Sequence, residues 1–239
     1  MSTINKRVGF KFFLLLGTIV RLVIAPFSGY EFDVGVLKFA ARSYYEHREV
    51  TLFTEWTSPP LLYYIVLVSY SFYYLLHYRF EEVAGLGIPD FYPLAHSVGA
   101  LETLFLKLPF ITADVLIFIL LTRCCSLLGL DDKKGLFISN IYFLSPYTIF
   151  VSAAHGMWDS LAALFLVLGA YCLIRSHTED DFKYVYYAVL SFTASFGVKW
   201  VGLAPLFVLG SLLLAKKEYT HLLKATLLSV GVLLLFYVP

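Results

Sequence analysis

Eight apolar runs constrain this chain more than any other feature. They lie at about 9–27, 59–78, 103–122, 135–152, 158–174, 184–198, 201–215 and 221–239. Crossing the ~30 Å hydrocarbon layer as a helix takes about twenty apolar residues, because every backbone polar group in lipid must pair within its own segment. Runs of this number and length predict an all-α, polytopic membrane protein. Composition agrees. Of 239 residues, 59% are hydrophobic and only 15% charged, against about 25% charged in soluble domains. Eighteen tyrosines and 22 phenylalanines suit a chain with much surface at headgroup level, where amphipathic rings are favoured.

The net charge of +1, with basic residues scattered along the chain, lacks the clustered stripe that phosphate tracking needs, so nucleic acid is not an expected partner. Cys124, Cys125 and Cys172 form no CxxC or Cys/His ligand spacing, so neither a disulfide framework nor a zinc site is expected. The first run follows Lys6, Arg7 and Lys11, contains Arg21 and has no small-x-small cleavage site, so it reads as an uncleaved anchor. The final run, "LLSVGVLLLFYVP", reaches Pro239 without a polar exit. Residues 1–239 are therefore expected to form a single membrane domain, the N-terminal part of a longer module.

Orientation follows from the bias of lysine and arginine toward the cytoplasm. If all eight runs crossed, with the N-terminus inside, three basic turns would fall outside. These are the turns with Arg123, Lys133 and Lys134, with Arg175 and Lys183, and with "KKEYTHLLK" (Lys216 to Lys224). If the run 59–78 stays on its own side, all three become cytoplasmic. That run carries Tyr63, Tyr64, Tyr70, Tyr73, Tyr74 and His77, as suits an interfacial or re-entrant segment. The expected arrangement is about seven transmembrane helices, with residues 28–102 an extracytoplasmic loop holding amphipathic or re-entrant helices. One such helix is "GYEFDVGVLKFAARSYYEHREV", whose Asp33 sits near the N-terminal end, where a helix dipole favours a carboxylate.

Ionisable groups in or beside a bilayer are costly and face a cavity, a partner or an interface. Lys107 and Asp114 are seven apart and share a helical face about 10 Å apart along the axis. A snorkelling lysine and an acid bonded to a neighbouring helix account for them equally well. His155 and Asp159, four apart beside Trp158, would point the same way if a helix began near His155; a cap with an interfacial tryptophan explains them too. Lys199, in a short break between two runs, suits a phosphate or a lipid headgroup. On the preferred topology Asp33, His155, Asp159 and Lys199 converge on one membrane face.

Read in order, five segments carry a resemblance: "GYEFDVGVLKFAARSYYE" with Asp33, "WTSPPLLYY", "LKLPFITADVLIF" with Lys107 and Asp114, "AHGMWDS" with His155 and Asp159, and "GVKWVGLAP" with Lys199 and Pro205. Together they resemble the GT-C class of polyprenyl-phosphate-sugar-dependent glycosyltransferases, nearest to the dolichyl-phosphate-glucose α-1,3-glucosyltransferases and their prokaryotic relatives. The junction "HGMWDS" fits the broader class better than the eukaryotic glucosyltransferases. The resemblance implies inverting transfer of a hexose from a polyprenyl or dolichyl phosphate donor to a lipid-linked oligosaccharide acceptor. It implies Asp33 as general base and His155, Asp159, Lys199 and Lys107 as substrate-binding residues; some members of the class use a metal and the glucosyltransferase branch does not, and no cofactor is expected here. The setting would be the endoplasmic reticulum membrane in a eukaryote or the plasma membrane in a prokaryote. A multipass transporter or lipid-handling protein, or a non-catalytic truncated subunit, would share the composition. No internal repeat of the kind transporters often carry is visible.

Overall fold

The computed structural model describes residues 3–47, 60–77 and 99–237. The described residues are helical, with no strand among them. The helices are α1 (Thr3–Ile24), α2 (Glu31–His47), α3 (Pro60–His77), α4 (Ala100–Leu127), α5 (Asp132–Phe143), α6 (Pro146–Ile149), α7 (Asp159–Glu179), α8 (Lys183–Phe196), α9 (Leu203–Ala215) and α10 (Tyr219–Tyr237). A short 3-10 turn, Ala25–Phe27, ends α1, and a six-residue π-turn, Phe150–His155, continues α6. Among the described residues, four helical segments are long and apolar enough to cross a membrane: Val8–Phe27, Ala100–Leu127, Asp159–Glu179 and Tyr219–Phe236. A fifth path, Asp132–Phe143 followed by Pro146–His155, bends by 45° at its break. Pro60–Leu76 and Trp200–Ala215 are shorter apolar helices. The amphipathic helix expected after the first run is α2. Of "WTSPPLLYY", Trp56–Pro59 fall outside the described residues, as does the acid-rich stretch Arg79–Asp90.

Side-chain pairings fix how the helices run. Along α1 and α4, Phe10 stacks on Phe118, Arg21 bonds Asp114, and Ala25 meets Lys107, so the two are antiparallel. Arg175 lies over Tyr184 and Ser195 Oγ donates to Ala162, which makes α7 and α8 an antiparallel hairpin. Tyr186 bonds His221 and Thr193 bonds Ser229, so α8 and α10 are parallel. The turns after α4, α7 and α9, flanked by Arg123, Lys133, Lys134, Arg175, Lys183, Lys216 and Lys217, gather at one end of the bundle. The start of α2, the α6–α7 junction and the α8–α9 break gather at the other.

Two prolines interrupt long helices, and a hydroxyl repairs each interruption. Pro109 inside α4 has no N–H for the carbonyl of Phe105. Ser69 Oγ of α3 donates to that oxygen at 2.6 Å, docking α3 on α4. Pro146 likewise cannot donate to the carbonyl of Tyr142, which accepts from Ser145 N–H at 3.2 Å and from Thr148 Oγ1 at 2.6 Å. Repair of this kind keeps broken helices tolerable in lipid.

The run 59–78 forms α3, whose polar contacts cluster at the end of the bundle away from the basic turns. Leu61 N–H donates to Gly197 O at 2.9 Å, and Tyr70 Oη to Glu102 at 2.8 Å. Glu102 is fully buried and takes a forked pair of hydrogen bonds from Arg42 of α2 at 2.9 and 3.0 Å, so three helices meet on one carboxylate.

Candidate functional site

Asp33 occupies the first turn of α2 and is 8% exposed. Its Oδ2 lies 2.9 Å from His155 Nε2 at the end of the π-turn. An ionised carboxylate only accepts, so Nε2 is then the protonated nitrogen of the ring. His155 is held on several sides. Its carbonyl accepts from Tyr30 N–H at 2.9 Å, and its ring packs against Tyr30 and Phe150 at 4.8 and 5.6 Å between centroids.

The chain leaves His155 through Gly156, whose φ of +89° lies in the left-handed region that favours glycine. A Cβ there would also stand 2.9 Å from Lys107 Cε and 3.1 Å from Val34 Cγ2. The amides of Gly156 and Met157 both donate to Val151 O, closing the wide turn. Wide turns of this kind are frequently found at functional sites. Asp159 then opens α7 and meets Lys199 Nζ from the break after α8. Their side chains are 39% and 38% exposed, so this second pair is open to solvent while the first is nearly enclosed.

The two pairs share one electrostatic environment. Burial raises the Asp33 carboxyl above its ordinary range; the hydrogen bond and charge of His155 oppose the rise, Asp159 adds to it, and Lys199 lowers it. A carboxylate that burial makes more basic, beside a half-exposed ammonium, can take a proton at one atom while a neighbouring anion is stabilised at another. Among the described residues no group of three His, Cys, Asp or Glu side chains is arranged to hold a metal ion.

All four residues expected on one face are thus brought together, but paired differently from the sequence reading. His155 and Asp159 do not share a helix: Gly156 separates the π-turn from α7, and each finds a partner elsewhere in the chain. Lys107 needs a larger correction. It was expected to bind substrate, yet it is fully buried, and its ammonium lies within hydrogen-bond distance of the carbonyls of Ala25 (3.2 Å), Ser28, Ala153 (2.8 Å) and Ala154 (3.2 Å). A cation so enclosed offers nothing to a ligand. Asp114, on the same face of α4, binds Arg21 Nε at 2.8 Å and accepts from Tyr142 Oη at 2.7 Å. Tyr30 and Gly156 were missed by sequence reasoning. The "HG" step at the start of the junction was the available signal for Gly156; nothing local marks Tyr30.

No family model, curated protein or solved structure matches the chain.

Proposed function

We propose that this chain is an integral-membrane glycosyltransferase that moves a hexose from a polyprenyl or dolichyl phosphate to a lipid-linked glycan acceptor. The observation that carries the reading is the meeting of Asp33–His155 and Asp159–Lys199, drawn from four separate segments, at the end of the bundle opposite the basic turns. With the basic turns cytoplasmic, that end is lumenal or extracytoplasmic. On this reading α3 stays on the outer side and about seven spans cross, counting the bent path, α8 and α9. The order of the five GT-C-like segments supports the same conclusion.

The chemistry follows from the geometry. A sugar held by a lipid phosphate sits at headgroup level, because its tail stays in the bilayer. Asp33 accepts the proton of the acceptor hydroxyl as that oxygen bonds the anomeric carbon from the face opposite the phosphate. The bond from the anomeric carbon to phosphate breaks, and the polyprenyl phosphate leaves with the electron pair, giving inversion. Lys199, half exposed, supplies positive charge to the departing phosphate, and Asp159 holds its ammonium in place beforehand. His155 keeps Asp33 oriented through the Nε2 hydrogen bond. A transporter would need intramembrane charges lining a path. Arg21 and Asp114 are instead fully buried against each other, which weighs against that alternative.

The test is transfer of labelled hexose from polyprenyl-phosphate donors to lipid-linked acceptors by purified protein, compared with Asp33→Ala. Transfer by wild type and its loss in the variant are expected. A wild-type protein inert with every such donor would overturn the reading.

A further inference from the structure

We propose that Lys107 is the positioning residue that holds Asp33 and His155 in register, its ammonium clasping together the two chain segments that carry them. Its four carbonyl contacts divide evenly. Ala25 and Ser28 belong to the exit from α1, which runs into α2 and reaches Asp33 within a few residues. Ala153 and Ala154 immediately precede His155 in the π-turn. Carbonyls at helix ends lack intrahelical donors, and in an apolar setting each would be costly to leave unpaired. With three N–H donors shared among four carbonyls, one buried lysine reaches both sets at once and draws them to a common point.

The surrounding contacts have the same geometry. Ser28 Oγ lies 3.2 Å from Ala153 O, and Tyr30 N–H donates to His155 O, so the two strands of the clasp continue in register beyond the lysine. Gly156 packs against the Lys107 stem where any Cβ would collide, and Val34, the residue after Asp33, closes the other side. Lys107 thus bonds the backbone next to both members of the pair. Asp33 faces His155 from the π-turn, Asp159 from α7 and Lys199 from the break after α8. Of these, only His155 is fixed to it through the clasp.

The kinetic half of this inference rests on the glycosyl-transfer reading; the structural half does not, and the experiment separates them. Lys107→Met keeps the stem and removes the donors, and Lys107→Gln keeps a shorter donor should the methionine variant fold poorly. Hydrogen exchange on purified full-length protein should show faster exchange in both variants at residues 25–34 and 150–157, with the α7–α8 hairpin unchanged. In the transfer assay kcat should fall by about a hundredfold, the cost of roughly 1 Å of misplacement, while KM for the donor holds. The acid limb of the pH profile should move to higher pH, and His155→Ala, which removes the same hydrogen bond, should move it the same way. In a His155→Ala background Lys107→Met should cost little more. Unchanged local exchange, a loss carried by KM, or full additivity with His155→Ala would each overturn the proposal. If wild type transfers no sugar, the functional reading fails and the exchange data alone decide the role of Lys107.

Discussion

Replacing Asp33 by asparagine separates the two roles that burial imposes on this carboxylate. The amide preserves size and can still hydrogen-bond His155, but it cannot take a proton. General-base transfer is worth about 10²–10⁴-fold, so transfer by Asp33→Asn should fall by that factor, or about 2.7–5.4 kcal/mol of barrier at 1.36 kcal/mol per tenfold. The effect on folding has the opposite sign. Burial raises the folded-state value of Asp33 above that of the unfolded chain, so the folded protein holds the proton more tightly. The resulting stabilisation is fully present below the ordinary carboxylate range near 3.9 and is lost as pH rises through the raised value. At neutral pH the ionised group therefore opposes folding relative to a neutral amide. Asp33→Asn should melt at or above the wild-type temperature at pH 7, with the advantage shrinking toward pH 4. Wild-type transfer should rise with pH along an acid limb placed above the ordinary carboxylate range. Both quantities are measurable on one detergent-purified sample, by labelled-sugar transfer and thermal unfolding. An asparagine variant that transfers at the wild-type rate would refute the base assignment. One that melts lower at every pH would refute the electrostatic argument.

The fully buried Arg21–Asp114 pair gives a second expectation. Arg21→Met should destabilise by about 3–5 kcal/mol by stranding a buried charge, and adding Asp114→Leu should recover most of it; unfolding titrations of the single and double variants measure the cycle. Gly156→Ala forces a side chain into a left-handed backbone and against Lys107, at a cost of roughly 1–3 kcal/mol. Its transfer rate should drop by more than its melting temperature implies, because the residue sits between His155 and Asp159. Lys199→Met should lower kcat by about 10²–10³-fold, the usual worth of one group that stabilises transition-state charge, and Asp159→Asn by less; steady-state kinetics with a polyprenyl-phosphate donor distinguish the two.

The sequence by itself pointed to the helical, membrane-suited character of the chain, to a helix after the first apolar run, and to four groups that the fold brings near one another. Each rests on a one-dimensional property: apolar runs of such length suit a bilayer, and charges rare in such a composition must be accommodated somewhere. The run 135–152 reads as one continuous segment, and the 45° bend at its break emerged only in the structure. Only the tertiary structure decided which group pairs with which. Helical spacing relates residues on one helix, and it put His155 with Asp159 and Lys107 with Asp114. The left-handed step at Gly156 and the wide turn before it break that relation, sending His155 to Asp33 and leaving Asp159 for Lys199. Lys107 was the least legible of all. Its partners are backbone carbonyls, which every residue carries, so no pattern of side chains could reveal that this cation fastens the fold together where it was expected to grip a substrate.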